Sequence, residues 1–183
     1  MSETTARPTH TPRTKEQCMA SASTFPTPCG AFSVIVDDLA VLASGWTEHP
    51  TKLLPLIHPT LRPTTLSVAG ARLREVERLV ADYFDGDLSA IEQVPVLHRS
   101  GPFRMHAWQV LREVRSPISY GEFARRAGNP RAARAAAAAC SHNAAALFVP
   151  CHRIVRSDGA VGQFAWGEEI KHSLLDHELD AAA

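Results

Sequence analysis

The chain has 183 residues, enough for one good hydrophobic core or for two small ones that lean on each other. Nineteen Lys and Arg balance nineteen Asp and Glu, so overall charge names no polyanionic partner, and no apolar run approaches the ~18–20 residues that would span a bilayer. Cys18, Cys29, Cys140 and Cys151 form no Cys-x-x-Cys pair and follow no secretory leader, which predicts a soluble protein of a reducing, cytoplasmic compartment.

Residues 1–23 are rich in Thr, Pro, Ser and charge with almost no apolar periodicity, and read as a disordered tail. An α/β unit is expected over 24–95. Ala31 to Val36 reads as a strand, Asp37-Asp38 as a turn, and Leu39 to Trp46 as the hairpin partner. Three prolines break Pro50 to Pro63 and leave room for short strands at most. Val68 to Phe84 carries Leu73, Val76, Leu79, Val80 and Phe84 on one helical face and stops near Gly86.

A mainly helical unit is expected over 96–180. Pro102 to Val114 makes an amphipathic helix through Phe103, Ala107, Val110, Leu111 and Val114. Tyr120 to Ala127 makes a second, with Ser119 as N-cap. Gly128-Asn129-Pro130 ends it and starts a third, Arg131 to Cys140, with Asn129 as cap and Pro130 in the first turn. Two short helices joined by a three-residue turn containing Gly form a helix-turn-helix signature. Ile154 to Phe164 reads as a hairpin or wing around Ser157-Asp158-Gly159, and Glu168 to Leu179 as a last helix with Ile170, Leu174 and Leu175 inward. Charge is uneven: Arg99 to Arg156 holds ten Arg against Glu113 and Glu122, a formal +8 offset by −8 elsewhere. That asymmetry points to a nucleic-acid-facing half, although solvated helix faces would also produce it.

Pro150-Cys151-His152-Arg153 joins a candidate nucleophile, base and cation behind the apolar run Leu147-Phe148-Val149, which reads as a buried strand. A thiol is mostly protonated near neutral pH and needs a base or cation beside it to become a nucleophile. By itself the motif reads more readily as a buried structural Cys, since free Cys is among the most buried residue types. In the third helix, Ala135 to Ala139 offers methyl groups flanked by Arg131 and Arg134. Such a helix reads base edges poorly, but it lets the backbone approach a groove while Arg meets phosphate, which suits sequence-tolerant minor-groove binding. Helix propensity and tight packing are the other explanation for the alanines.

Pro150 to Val155, Gly159, Gly162, Trp166-Gly167, Lys171, Leu174-Leu175 and Glu178, preceded by Ser119 to Glu122 and Arg131 to Ala135, together resemble the O6-alkylguanine-DNA alkyltransferases, the methylated-DNA–protein-cysteine methyltransferases. The resemblance covers about residues 102–178. It implies a ribonuclease-H-like α/β N-terminal domain and a mainly α, winged helix-turn-helix C-terminal domain. It also implies a reaction: a base is swung out of duplex DNA, and Cys151 takes the alkyl group from O6 of guanine, once per molecule. His152 would withdraw the thiol proton through a water and Glu178 would orient the imidazole.

The DNA contacts implied are Tyr120, Arg131, Arg134, Ala135, Ala138 and Arg153, with Arg134 as the finger that replaces the extruded base and Tyr120 crowding the flanking phosphate. A half-buried core role for Tyr120 and a phosphate clamp role for Arg134 stay open. The guanine would rest against Tyr120, beside Asn143, and against Val149 and the loop from Val161 to Phe164. Asn143 should also hold the turn before the nucleophile by side-chain to backbone bonds. Glu178 follows Leu174 by four residues and Leu175 by three, which places it on the inward face, where a carboxylate wants a partner; a solvent-facing helix end is the alternative.

No cofactor and no metal are expected, since Cys18, Cys29 and His98 qualify as zinc ligands by type only. The partner implied is double-stranded DNA containing O6-alkylguanine, met by a monomer with no membrane role, at the nucleoid if the source is a bacterium. The chain departs from the family pattern at Arg115-Ser116-Pro117, where a Pro-x-Gly turn is usual and about two residues are missing. It departs again at Ala137 for Gly, Ala144 for Pro and Phe164 for Tyr. Two other readings remain at this stage: a lesion sensor without transfer, against which Cys151 itself speaks, and a winged-helix regulator, against which the alanines speak.

Overall fold

The computed structural model describes residues 19–182. Strands β1 (Met19–Thr27), β2 (Gly30–Val36), β3 (Val41–Trp46) and β4 (Thr65–Ser67) form one sheet in the order β3-β2-β1-β4. β1 and β2 pair antiparallel from Ser21↔Val36 to Thr27↔Gly30, β2 and β3 pair antiparallel, and β4 joins β1 in parallel. Val34, Ile35, Val36, Val41, Leu42 and Ala43 are all buried, so both faces of this part of the sheet are covered. Met19 to Ser23, expected in a disordered tail, are instead the start of β1. Alternating small side chains there, with Ala20 and Ala22 buried, let a polar-looking segment pair with β2. The rest of that expected tail lies outside the described residues.

Helix α1 (Ala71–Phe84) packs on β1 and β2 and buries Leu73, Val76, Leu79, Val80 and Tyr83. The periodicity had put Phe84 on the inward face; Tyr83 takes that place, completing the three- and four-residue steps from Val76 and Val80. The proline-rich segment contains a 3-10 turn, Pro50–Leu56, with Leu53 buried.

Helix α2 (Pro102–Glu113) starts on Pro102, whose missing N–H is no loss in a first turn. A short β5 (Ile118–Ser119) leads into α3 (Tyr120–Arg126), where the Ser119 hydroxyl accepts from the Glu122 N–H at 3.1 Å. That is the N-cap read from the sequence. Helix α4 spans Ala133–Ser141, two residues later than expected. Asn129 uses its side-chain oxygen for the Arg131 N–H (3.1 Å) and its carbonyl for the Ala132 N–H (2.9 Å), so residues 129–132 close a turn of their own before the helical ladder begins. The Trp108 indole donates to the Ala139 carbonyl at 2.9 Å and fixes α4 across α2.

The expected strand at Leu147 to Val149 is a turn. Ala144 and Ala146 are engaged by β3, through Ser44 N–H to the Ala144 carbonyl (2.8 Å) and the Ser44 hydroxyl to the Ala146 carbonyl (2.7 Å). The chain then turns at Leu147, a fully buried leucine at φ 75°, a backbone state of order 1–3 kcal/mol above the common regions. Beyond it, Cys151–Arg153 form a 3-10 turn and β6 (Ile154–Val155) pairs in parallel with β5. The Ser157 to Gly159 turn exists, closed by the Arg156 N–H on the Ala160 carbonyl, but Ala160 to Phe164 form no second strand, so the expected hairpin is a single-armed loop. Helix α5 (Glu168–Ala181) ends the fold and buries Lys171, Leu174 and Glu178.

The architecture is thus an N-terminal mixed sheet followed by a mainly helical part. One cluster of buried side chains, from Phe32 through Tyr83 and Leu111 to Phe148, Cys151 and Leu174, runs through both. Arg112 reinforces the seam, donating to the carbonyls of Glu92 (2.9 Å), Val94 (3.0 Å) and Phe148 (3.4 Å). Among the described residues, no helix is long and apolar enough to cross a membrane.

Candidate active site

Cys151 begins the 3-10 turn with 6 % of its surface exposed, and that opening faces a cavity of about 570 Å³, within the usual range for ligand pockets. The walls include Tyr120 from α3, Ala137, Ala138 and Cys140 from α4, and Phe164 from the loop before α5. On α4 the wall is made of short side chains, those of Ala137, Ala138, Cys140 and Ser141. Burial pushes the Cys151 thiol up, while a hydrogen bond from Asn143 and the charge of Lys171 pull the other way. The net direction is upward, so the sulfur is a thiol at neutral pH and needs a base to lose its proton.

His152 is fully buried behind it. Its Nε2 lies 2.9 Å from Glu178 Oε1, and its Nδ1 has no protein partner among the described residues. Burial lowers its pKa, partly offset by the bond and charge of Glu178. A neutral ring whose Nε2–H donates to a carboxylate leaves Nδ1 as a free acceptor. Glu178 collects further donors: Arg153 Nη2 at 2.7 Å and Nε at 2.9 and 3.1 Å, and the Tyr83 hydroxyl at 2.8 Å. Burial opposes its charge, but the His152 and Arg153 bonds and charges outweigh burial and hold the carboxyl far below the usual range.

Arg153 is therefore not on a DNA-facing surface. Only 2 % of it is exposed, and its guanidinium is consumed by Glu178 and by the Val114 carbonyl. The reason is local: in a 3-10 turn, Cys151 and its two successors point in three directions, and the third points into the core. Lys171, likewise buried, donates to the carbonyls of Ile154 and Val161, each at 2.6 Å. Asn143 does what its type suggested, accepting from the Ala145 N–H (3.1 Å) and donating to the Val149 carbonyl (2.7 Å). Its amide also reaches Cys151 Sγ at 3.1 Å, so it touches the candidate nucleophile.

Of the other residues expected from the sequence, Tyr120 and Phe164 line the cavity. Burial, then Cys140 and Cys151, push the Tyr120 hydroxyl up to about 12, so it stays protonated. Val149 and Val161 are not among the lining residues: the carbonyl of each is spent, on Asn143 and on Lys171. Arg131 is exposed in the turn before α4, Arg134 and Ala135 are exposed on α4, and Ala138 is half-buried at the cavity wall. Sequence reasoning missed Tyr83 as a partner of Glu178 and Cys140 as a cavity wall. A tyrosine on the apolar stripe of a helix, whose hydroxyl must find a partner when buried, was the available signal for the first; nothing local marked the second. Cys18 lies outside the described residues, and among those described no group of three or more His, Cys, Asp and Glu could hold a metal.

A family model described as the 6-O-methylguanine DNA methyltransferase DNA-binding domain matches residues 102–179. The methylated-DNA–protein-cysteine methyltransferase of Shigella flexneri is 31 % identical over 156 residues, covering 83 % of this chain and 91 % of the relative. That of Haemophilus influenzae is 36 % identical over 156 residues, covering 84 % and 83 %. Among solved structures, Mycobacterium tuberculosis OGT in complex with DNA superposes with a TM-score of 0.74 at 25 % identity, covering 88 % of this chain and 94 % of that one.

Proposed function

This chain belongs to the methylated-DNA–protein-cysteine methyltransferases, and from that premise we propose that Cys151 is the acceptor to which it transfers the alkyl group of O6-alkylguanine in double-stranded DNA. The protein is a DNA-repair methyltransferase. The observation that carries the assignment of Cys151 is its sulfur, open on a cavity beneath the arginine-bearing α4 and backed by the His152–Glu178 pair.

The thiol proton leaves through a water to the free Nδ1 of His152, and Glu178 holds the imidazolium that forms. The sulfur electron pair forms an S–C bond as the C–O6 bond breaks; the released pair stays on guanine, which takes up a proton. Asn143, already donating to Sγ, supports the thiolate. The product is a thioether that neither water nor thiols readily reverse, so each molecule acts once.

To reach the sulfur the base must leave the stack. Arg134, exposed on α4, is long and planar enough to fill the vacated space, and Tyr120, at the cavity rim, is a rigid wedge for the flanking phosphate. Arg131 clamps phosphate, and Ala135 and Ala138 let α4 sit close to the minor groove. The guanine rests on Tyr120 and Phe164, with Asn143 behind the reacting atom; Val149 and Val161 act at one remove, through the carbonyls that hold Asn143 and Lys171. At a finer level the sheet part (24–95) is ribonuclease-H-like and the helical part (96–180) a winged helix-turn-helix. The protein works as a cytoplasmic monomer, at the nucleoid if its source is a bacterium.

The test is an intact mass after incubation with a duplex oligonucleotide bearing O6-methylguanine. A stoichiometric gain of one methyl, absent in Cys151→Ala, is expected. No gain under excess lesion, or repeated turnover by one molecule, overturns the proposal.

A further inference from the structure

We propose that Tyr83 is a positioning residue for alkyl transfer: its hydroxyl draws charge from the carboxylate oxygen that holds His152, and so sets how readily the imidazole accepts the thiol proton. The inference rests on His152 being the base, as proposed above. It adds a residue from the sheet half of the chain, outside the segment matched by the DNA-binding-domain model.

The donors on Glu178 are unevenly shared. Tyr83 Oη (2.8 Å), His152 Nε2 (2.9 Å) and Arg153 Nη2 (2.7 Å) converge on Oε1, with Arg153 Nε also at 3.1 Å. Oε2 receives Arg153 Nε alone, at 2.9 Å. A carboxylate oxygen offers about two lone-pair sites. Were the tyrosine there only to satisfy the carboxylate, the less occupied oxygen was available; instead its proton competes with the imidazole for the same electron pairs. Nor can the hydroxyl swing away. The ring is fully buried, edge-on to Phe84 at 5.1 Å and against the His177 ring at 5.1 Å, while His177 Nε2 bonds the Tyr83 carbonyl at 2.9 Å. Burial and the charge of Glu178 both push the phenol far above its ordinary range, so it is a donor at every working pH.

The ionisable groups that bear on this cluster come from four elements. Tyr83 projects from α1, His152 and Arg153 from the 3-10 turn, and His177 and Lys171 from α5 alongside Glu178 itself; Cys29, in the turn between β1 and β2, acts on Tyr83. Of these, Arg153 and Lys171 oppose a proton on His152 and Glu178 favours one. Removing the phenol proton returns charge on Oε1 to His152, stabilises the imidazolium and raises the pH below which the ring can no longer act as base.

The experiment is the second-order rate of methyl transfer from an O6-methylguanine duplex, followed from pH 4.5 to 9 (roughly, as the histidine range requires), beside the ¹⁵N shifts of His152 and thermal denaturation. For Tyr83→Phe we expect the acid limb and the His152 titration to move up by about half to one pH unit, with the alkaline plateau and the stoichiometry of one methyl retained. Replacing Tyr83 by 3-fluorotyrosine, a stronger donor, should move both down. A purely structural role would lower stability and slow transfer equally at every pH in both variants, leaving the limb in place, and would overturn the proposal. His152→Gln separates the two levels. If it abolishes the acid limb while Tyr83→Phe leaves it unmoved, only the role of Tyr83 falls. If the limb survives in His152→Gln, the assignment of the base fails and takes the role of Tyr83 with it.

Discussion

Asn143 shows how one side chain can hold a turn and tune a nucleophile together. Its amide bonds the Val149 carbonyl and Cys151 Sγ, and its oxygen takes the Ala145 N–H. Asn143→Ala should leave the buried Ala145 N–H without its acceptor, lowering stability by about 1–3 kcal/mol in urea denaturation. It should also slow methyl transfer, because the thiol loses the contact that pulls its pKa down. The buried ion pair behaves differently. Arg153→Leu strands Glu178 with less compensation, and a loss of about 3–5 kcal/mol is expected from the same measurement. Arg153 was misread as a DNA contact because residue type alone does not say whether a guanidinium will face phosphate or carboxylate. Glu178 was legible because its spacing from Leu174 fixed its face on the helix.

Among the elements, α4 and the turn before it carry the proposed DNA contacts. The turn exposes Arg131, and the helix exposes Arg134 and Ala135, gives Ala137 and Ala138 to the cavity and buries Ala136 and Ala139. If Arg134 fills the space of an extruded base, Arg134→Ala should slow repair of duplex DNA by roughly tenfold or more, since unstacking costs a few kcal/mol. It should leave reaction with free O6-benzylguanine nearly unchanged; equal loss on both substrates would reject the finger role. Strand β3 supports the site from the opposite side. Ser44 props Ala144 and Ala146, and Gly45 lies so close to the Trp166 indole that any Cβ there would overlap it. Gly45→Ala should therefore displace Trp166 and the adjoining Phe164 to Gly167 wall, at about 1–3 kcal/mol by thermal or urea denaturation. Helix periods and the Ser119 cap were legible because they rest on local spacing. The turn at Leu147 was not, because an apolar triplet reads equally as strand until its pairing partners are known.

For the whole molecule, acid sensitivity follows from shielded groups of the helical part. Burial, then Arg112, lowers His98 to about 4, and burial also lowers His152. Both histidines bind protons more readily unfolded than folded, so stability should fall as pH drops below their ordinary value near 6.5. For His98 the fall ends near its folded value. Glu178 acts with the same sign lower down: a carboxyl held below its ordinary range stabilises the fold above about 4.5, and that contribution is lost as pH falls further. His98→Phe keeps a ring against Trp108 and should flatten the loss between about 6.5 and 4 in urea midpoints measured across pH. Buried side chains from both sides of residue 95 meet in one cluster.

By itself the sequence determined the helix periods, the Ser119 cap and the inward face of Glu178, and it singled out Cys151 and His152 as a candidate nucleophile and base, because periodicity and motif spacing are local properties that a chain carries before it folds. Only the tertiary structure decided that Arg153 turns inward, that Asn143 reaches the sulfur, that Cys140 lines the cavity and that Tyr83 caps the Glu178 carboxylate from 95 residues away. Hydrogen bonds and burial are made between surfaces brought together by packing, and no spacing along the chain encodes which distant donor will arrive.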